Sequence, residues 1–132
     1  MLCPVVTDII VIVQYCDQGV IMKLRREEKG DVTVCYIAGE ININTVPDFK
    51  VTFNKMIKEK AGKVLLNLEE VGYIDSLGLA TLLFFSRGLE DGGGQMIISD
   101  VAPKVGSIFK ITKVDKVLSI FDTEEDALKH FE

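Results

Sequence analysis

Asp75 and Ser76 are neighbours at a point where a strand is expected to give way to a helix. They follow an apolar run at residues 63–68 and open a leucine-rich stretch that ends near residue 89. Asp and Ser are among the preferred helix caps, so one interpretation of the pair is purely structural. The other interpretation is that Ser76 holds its hydroxyl at a helix N-terminus, where unpaired N–H groups and the macrodipole favour an added anion. A serine in that position can accept a phosphate.

The residues around Ser76 argue against an enzyme. A serine nucleophile on a strand-to-helix turn follows a Gly by two residues, and here that residue is Ile74. The chain has one histidine, His130, and nothing in the sequence indicates that it could act as a base for Ser76. The three glycines at 92–94 follow a helix and lack the Lys-Ser/Thr of a P-loop, so they predict a helix-ending turn. We expect no catalytic residue and no cofactor.

Two further chemistries could use the carboxylate of Asp75. A phosphoaspartate receiver needs a pair of acids to hold Mg²⁺, and the strand that ends at Ala38-Gly39-Glu40 does not supply them. Glu40, Asn42, Asp75 and Ser76 are expected to converge, because both of their loops lie at the same end of a parallel strand pair. Two carboxylates without a histidine are more often caps and turn formers than metal ligands. We therefore expect no metal site.

Hydrophobic periodicity predicts the elements that position these residues. β-branched residues predict a strand at 32–38 that Gly39 ends, and apolar positions three and four apart predict a helix from Thr45 to about Lys60, closed by Ala61-Gly62. The remaining expected elements are a strand at 63–68, a helix at 76–89, a strand at 95–99, a short helix at 103–110, a strand at 117–121 and a helix from 124 onward. This alternation indicates a single-domain, mixed α/β layer fold with about four helices.

Some side chains carry expectations of their own. The hydroxyl of Thr45 is predicted to cap the first helix, and Thr123 is predicted to cap the last one. Cys35, in the middle of a strand, is expected to be a small core residue. The helix at 76–89 is expected to be mostly buried, because large apolar side chains leave it little polar face: Leu77, Leu79, Leu82, Leu83, Phe84 and Phe85.

Composition narrows the classes of partner and compartment. The chain has 132 residues and a net charge of −5, which disfavours binding to nucleic-acid phosphates. Three irregularly spaced cysteines do not make a disulfide framework or a zinc site, and they fit the reducing cytoplasm. Asp8 and Asp17 interrupt the apolar N-terminal stretch, so neither a signal peptide nor a membrane anchor is expected. The organised domain is predicted to span 22–132, with 1–21 as an extra strand or a poorly ordered extension.

Two motifs resemble the STAS family, which includes bacterial anti-sigma factor antagonists and the tails of sulfate transporters. The resemblance runs from residue 22 to the C-terminus. The family's first strand motif ends in Gly-Glu/Asp-Leu/Ile, which is similar to Ile37-Ala38-Gly39-Glu40-Ile41. In the second motif Asp-Ser-x-Gly-Leu opens the second helix, which is similar to Asp75-Ser76-Leu77-Gly78-Leu79.

The resemblance implies a STAS-like mixed β-sheet and a partner switch. In the family, the unphosphorylated antagonist binds an anti-sigma factor that is also a serine kinase; phosphorylation ends the binding and a phosphatase resets it. By motif position Ser76 is the expected phosphoacceptor, and the expected partner-binding residues are Glu40, Ile41, Asn42, Asp75, Leu77, Gly78 and Leu79. Asn42 stands where many antagonists have Asp. The alternative function is a STAS adapter of a transport or signalling assembly that docks without a phosphorylation cycle.

Overall fold

A six-stranded sheet with helices on both faces forms the framework of the molecule. The structure is a computed structural model that describes the backbone of residues 11–16, 19–59 and 62–131, and the side chains from Lys23 onward within those ranges. The strands, which lie in the order of the chain, are β1 Val11–Cys16, β2 Gly19–Lys29, β3 Val32–Ile41, β4 Lys63–Ile74, β5 Gln95–Ser99 and β6 Ser119–Phe121. The helices are α1 Val46–Lys58, α2 Ser76–Asp91, α3 Pro103–Thr112 and α4 Glu124–His130, and a 3-10 turn spans Val114–Lys116. The predicted mixed α/β fold is confirmed.

Strand direction changes once across the sheet. β1, β2 and β3 pair antiparallel, whereas β3, β4, β5 and β6 pair parallel. A parallel pair needs a crossover connection, and α1, α2 and α3 supply the three crossovers. The carboxyl ends of β3 and β4, with the loops that follow them, therefore meet at one edge of the sheet.

Two apolar clusters hold the layers together. On one face α1, α2 and α3 cover β3, β4 and β5. There the rings of Phe53 and Phe85 stack with centroids 4.1 Å apart, which joins α1 to α2. On the other face α4 covers a smaller cluster that includes Leu65 and Phe131. Cys35 is fully buried in the larger cluster, as expected of a core residue, and burial raises the pKa of its thiol to about 12.

β4 is longer than the sequence predicts. The strand expected at 63–68 continues to Ile74, so the polar segment that resembles a loop is part of the sheet. Pairing with β3 accounts for this: Ile41 is opposite Ile74, and the register shifts twice on the way, between Tyr36 and Ala38 and between Gly39 and Glu40. Gly39 has φ +104°, a conformation that favours glycine, which lets β3 pass this irregularity and continue to Ile41 instead of ending. Asp75 is then the one residue between β4 and α2.

One of the two predicted threonine caps is present in the structure. The Thr123 hydroxyl accepts a hydrogen bond from the Asp126 N–H (3.1 Å), so its predicted cap is confirmed. The predicted hydroxyl cap at Thr45 is wrong, because Thr45 has a helical rather than an extended backbone and its hydroxyl makes no capping bond. α1 ends at Lys58, slightly before the predicted end near Lys60. Of the pair predicted to close it, Ala61 lies outside the described residues, and Gly62 directly precedes β4. The glycine turn after α2 is confirmed, with Gly92 as the cap.

The expectation that α2 is mostly buried is wrong on one of its faces. Leu79, Leu82 and Phe85 are buried, but Phe84 is 74% exposed and Leu77 is 39% exposed. α2 lies on a single sheet face, so only the stripe that faces the sheet and α1 can be covered.

The N-terminal segment contributes at least one strand. Val11–Cys16 forms β1, which pairs antiparallel with β2. Residues 1–10 and 17–18 of the predicted extension lie outside the described residues. The domain boundary at residue 22 stays a prediction.

Candidate functional site

Asp75 joins the two loops at the carboxyl edge of the sheet. Its Oδ1 accepts a hydrogen bond from the backbone N–H of Gly78 (2.8 Å), so Asp75 is the N-cap of α2. Its Oδ2 accepts from the N–H of Ile43 (3.0 Å), in the loop between β3 and α1. Its own N–H donates to the carbonyl of Ile41 (3.1 Å). One side chain thus fixes the start of α2 relative to the neighbouring loop.

Gly78 allows α2 to begin directly against the sheet. A Cβ at this position would lie 2.6 Å from the carbonyl oxygen of Ile41 and 2.8 Å from a side-chain carbon of Ile74. Such separations are far inside van der Waals contact, so any other residue would push the first turn of α2 away from β3. The glycine in the Asp-Ser-x-Gly motif therefore sets the height of the helix start above the sheet.

Side-chain hydrogen bonds also shape the β3–α1 loop. The Thr45 hydroxyl donates to the carbonyl of Glu40 and accepts from the N–H of Asn42, each at 2.9 Å. Asn42 Oδ1 accepts from the N–H of Asn44, and its Nδ2 donates to Glu40 Oε1, again at 2.9 Å. An Asp at position 42 could keep the bond to Asn44 but could not donate to Glu40. Asn42 therefore fastens Glu40 within this loop.

Ser76 lies on the surface as the first residue of α2, in a region that also exposes two apolar side chains. Within the described residues its hydroxyl makes no hydrogen bond to a protein group. Leu77 follows it and is 39% exposed, and Ile43, held by Asp75, is 66% exposed. α2 carries no acidic side chain in its first turn. The arrangement offers an accessible hydroxyl at a helix N-terminus, with apolar surface beside it.

The predicted site residues divide by burial. Glu40 and Leu77 are exposed, and Asn42 and Asp75 are half-buried. Ile41 and Leu79 are 1% and 7% exposed, so their side chains belong to the core and do not form part of the surface. Gly78 is buried under α2 and acts through backbone spacing.

Sequence reasoning missed Ile43 as a surface residue. It lies two positions after the buried Ile41, and in an extended strand the two side chains would share a face. The chain leaves the sheet after Ile41, so the alternation ends there and Ile43 turns outward. Its spacing from Ile41 predicts burial, so nothing in the sequence indicated that Ile43 is exposed.

A second polar cluster lies on the sheet face that carries α4. Asn67 Nδ2 donates to Glu124 Oε1 and to Asp100 Oδ2, each at 3.2 Å, and Lys29 Nζ lies 2.6 Å from Glu124 Oε2. Burial acts to raise the pKa of Glu124, but hydrogen bonds from Lys29, Tyr36 and Asn67 outweigh it and leave the pKa below its ordinary value. This cluster ties α4 to β2 and β4.

Neither polar cluster gathers a metal-binding set. Among the described residues, no three His, Cys, Asp or Glu side chains come together in a way that could hold an ion. Both oxygens of Asp75 already accept backbone hydrogen bonds, and Glu40 is bonded to Asn42. In the same part of the chain, no helix is both long and apolar enough to cross a membrane.

The chain belongs to the STAS domain family, whose model matches residues 23–127. The resemblance carried by the two sequence motifs is confirmed. The chain is 26% identical over 89 residues to the anti-sigma-B factor antagonist of Staphylococcus aureus strain NCTC 8325, which covers 67% of this chain and 82% of the relative.

Two solved structures share the fold. A putative anti-sigma factor antagonist from Thermotoga maritima is 24% identical, with a TM-score of 0.76 over 81% of this chain and 92% of that one. The Bacillus cell fate determinant SpoIIAA, in its phosphorylated form, is 22% identical, with a TM-score of 0.65 over 83% of this chain and 99% of that one.

Proposed function

We propose that this protein is an anti-sigma factor antagonist controlled at Ser76. With Ser76 unphosphorylated it binds an anti-sigma factor; the serine kinase activity of that factor phosphorylates Ser76 and ends the binding, and a phosphatase restores it. Its regulatory step is binding, and catalysis is left to the partner. The relatives from Staphylococcus aureus and Thermotoga maritima are described as anti-sigma factor antagonists, and SpoIIAA was solved with a phosphate, which supports this assignment.

The observation that carries the proposal is the exposed Ser76 hydroxyl at the start of α2, beside Leu77 and Ile43. A kinase must reach the acceptor oxygen without unfolding the domain, and an exposed first-turn residue meets that requirement. The adjacent apolar side chains give a partner something to bury. Asp75 holds Ile43 and the start of α2 in a fixed relation, so acceptor and apolar surface are presented together.

The energetics favour a switch in binding over a switch in folding. A phosphate adds about −1.5 to −2 charges next to Asp75. The N-terminus of α2 offsets that repulsion by about 0.3–1 kcal/mol, and Ser76 is exposed, so the folded domain can carry the group. In a complex the same phosphate would be removed from water against Leu77 and Ile43. Desolvating a charge without a partner there costs far more than the helix end returns.

Phosphate transfer tests the proposal directly. The cognate anti-sigma factor, incubated with Mg-ATP, should label the wild-type protein and should not label Ser76→Ala. Ser107→Ala is the matched control, because Ser107 is also an exposed serine in the first turns of a helix, α3. It should be labelled like the wild type. Label that persists in Ser76→Ala would contradict the assignment of the acceptor.

Binding provides the second readout. Ser76→Asp should weaken the complex with the anti-sigma factor in calorimetry while thermal unfolding changes little, because Ser76 is exposed and caps nothing. A strongly destabilised Ser76→Asp would mean that the position is structural. A complex that forms without any phosphate transfer would favour the adapter function instead.

A further inference from the structure

The outer face of α2 is an apolar ridge that the fold does not use. Leu77, Ala80, Phe84 and Arg87 recur three and four residues apart, so they lie in one stripe that begins next to Ser76. Phe84 is 74% exposed, in contrast to its buried neighbour Phe85. A phenylalanine offers an unusually large apolar area to a partner. Its exposure on a helix otherwise packed against the sheet marks this stripe as an interaction surface.

Phe84 stands between two hollows. The first, of about 390 Å³, lies between α1 and α2 and is lined by residues including Lys50, Asn54, Ile57 and Thr81. The second, of about 220 Å³, lies on the other side of Phe84 and is lined by Ala80, Leu83, Phe84 and Arg87. The two hollows, with Phe84 between them, form one continuous docking surface along α1 and α2. We call this surface the α1–α2 groove.

The floor of this groove is built from two buried, stacked rings. Phe53 of α1 and Phe85 of α2 stack at the bottom of the first hollow, with only 7° between their ring planes. Gly88 of α2 faces Ile57 of α1 across the helix pair, and a Cβ at position 88 would lie 2.6 Å from Ile57 Cδ1. A preformed groove loses little conformational entropy when a partner binds.

The charge around the groove selects the partner. The charged side chains that line the two hollows, Lys50 and Arg87, are both cationic, although the protein as a whole carries −5. Two exposed acids, Glu90 and Asp91, lie beyond Arg87 in the last turn of α2 and line neither hollow. Apolar hollows with cations at their margins complement a helix that has apolar side chains on one face and acidic side chains flanking them.

We propose that the α1–α2 groove docks an acidic amphipathic helix of the anti-sigma factor. This identification of the partner rests on the proposed function. Phe84 inserts between apolar side chains of that helix, and Lys50 and Arg87 pair with its carboxylates. Phe84 lies eight residues beyond Ser76, about 12 Å along α2, so one partner can occupy the groove while its kinase site reaches the Ser76 hydroxyl. The groove supplies affinity that phosphorylation does not touch directly.

Variants in the groove test the proposal with the anti-sigma factor itself. Phe84→Ala should raise the Kd about tenfold or more, as truncation of a central aromatic anchor does. Lys50→Glu should also weaken binding and reduce its dependence on salt. Ile111→Ala and Lys110→Glu are the matched controls, because both residues are exposed on α3 and line neither hollow. Phe84 is exposed, so the unfolding midpoint of Phe84→Ala should equal that of the wild type.

Loss of binding in Ser76→Asp with an unchanged Kd in Phe84→Ala would overturn the groove proposal and leave the proposed function standing. Equal weakening by the α3 controls would overturn it as well. A wild-type protein that binds no anti-sigma factor would contradict the proposed function. In that case the groove proposal is tested separately, with a peptide probe.

That probe is a pair of stapled helical peptides with the same leucine stripe, one with glutamate and one with lysine at the flanking positions. Titrated into the isotope-labelled protein, the glutamate peptide should shift the backbone amide resonances of α1 and α2 around Asn54 and Phe84, and the lysine peptide should not. Ser76→Asp should retain this binding. Equal binding of both peptides, shifts confined to other parts of the protein, or no shifts with the glutamate peptide would each overturn the groove proposal.

Discussion

Replacing Gly78 with Ala tests whether the start of α2 is held at its height above the sheet by the absence of a side chain. The new Cβ would lie 2.6 Å from the carbonyl oxygen of Ile41 and 2.8 Å from side-chain carbons of Ile41 and Ile74. The nearest of these atoms belongs to the backbone of β3 and cannot rotate away. α2 must therefore shift, which strains the bond from the Gly78 N–H to Asp75.

Gly88→Ala provides a matched control within the same helix. Its Cβ would come equally close, 2.6 Å, to another atom, but that atom is Cδ1 of the partly buried Ile57, the tip of a flexible side chain. Two helical glycines with the same nearest separation thus differ in whether the obstructing atom can move. The comparison separates a backbone clash from the intrinsic preference of a helix for Ala.

The magnitudes follow from two opposing effects. Ala stabilises a helix interior by about 1 kcal/mol relative to Gly. An overpacked site costs about 1–3 kcal/mol, toward the upper end where backbone atoms obstruct. Gly78→Ala should therefore lower the free energy of unfolding by about 1–2 kcal/mol, whereas Gly88→Ala should leave it unchanged or raise it by up to about 1 kcal/mol. At this chain length each kcal/mol corresponds to about 4 °C in Tm.

Urea denaturation followed by circular dichroism measures both variants against the wild type. Equal stability of the two variants would refute the reasoning, because it would mean that β3 yields as easily as the tip of an isoleucine. A change in the denaturant slope of Gly78→Ala would indicate a change in the unfolded or native ensemble and would call for hydrogen exchange at α2 instead.

Two further predictions follow from the pKa shifts. Burial raises the pKa of Cys35 to about 12, so in a chain with Cys3→Ser and Cys16→Ser, iodoacetamide should label Cys35 only as fast as the protein unfolds; labelling of the native protein at the rate of a free thiol would contradict this. The pKa of Glu124 is lowered, so the stability contributed by its bonds to Lys29 and Asn67 is present above the ordinary glutamate value of 4.5 and is lost as the pH falls through the lower folded value. Glu124→Gln should therefore flatten the fall of the unfolding free energy at acid pH, and an unchanged pH dependence would count against the cluster.

Local patterns were enough where local interactions decide the structure. The glycine turn after α2 was predictable because Gly93, at φ +87°, adopts a conformation that other residues resist. The Thr123 cap was predictable because its hydroxyl comes three residues before Asp126, whose backbone N–H has no acceptor in the first turn of the helix. The start of α2 was predictable for a similar reason, because the Asp75 carboxylate accepts a first-turn N–H three residues later. This places the neighbouring Ser76, the candidate acceptor, at the helix N-terminus.

Local patterns failed where more than one set of partners was available to the same group. The Thr45 hydroxyl had two possible sets of partners, and the carbonyl of Glu40 with the N–H of Asn42 took precedence over the first turn of α1. β4 continued past its apolar run because β3 supplied hydrogen-bond partners for the polar residues that follow it. The Thr45 bonds lie within a few residues along the chain, but the choice between them depends on the fold of the loop, and the extension of β4 depends on a strand more than 30 residues away.

The amino-acid sequence by itself determined the alternation of strands and helices, the family and the position of Ser76 at a helix start, because these depend on periodicity and on neighbours along the chain. Only the tertiary structure decided which apolar side chains face water. Leu77 and Phe84 carry the same apolar character as Leu79 and Phe85, yet the first two are exposed and the latter two are buried. The sheet and α1 can cover only one stripe of α2, and the direction of that stripe is set where Asp75 and Gly78 fix the start of the helix against β3. The orientation of α2 on the sheet therefore determines which apolar surface is available to a partner.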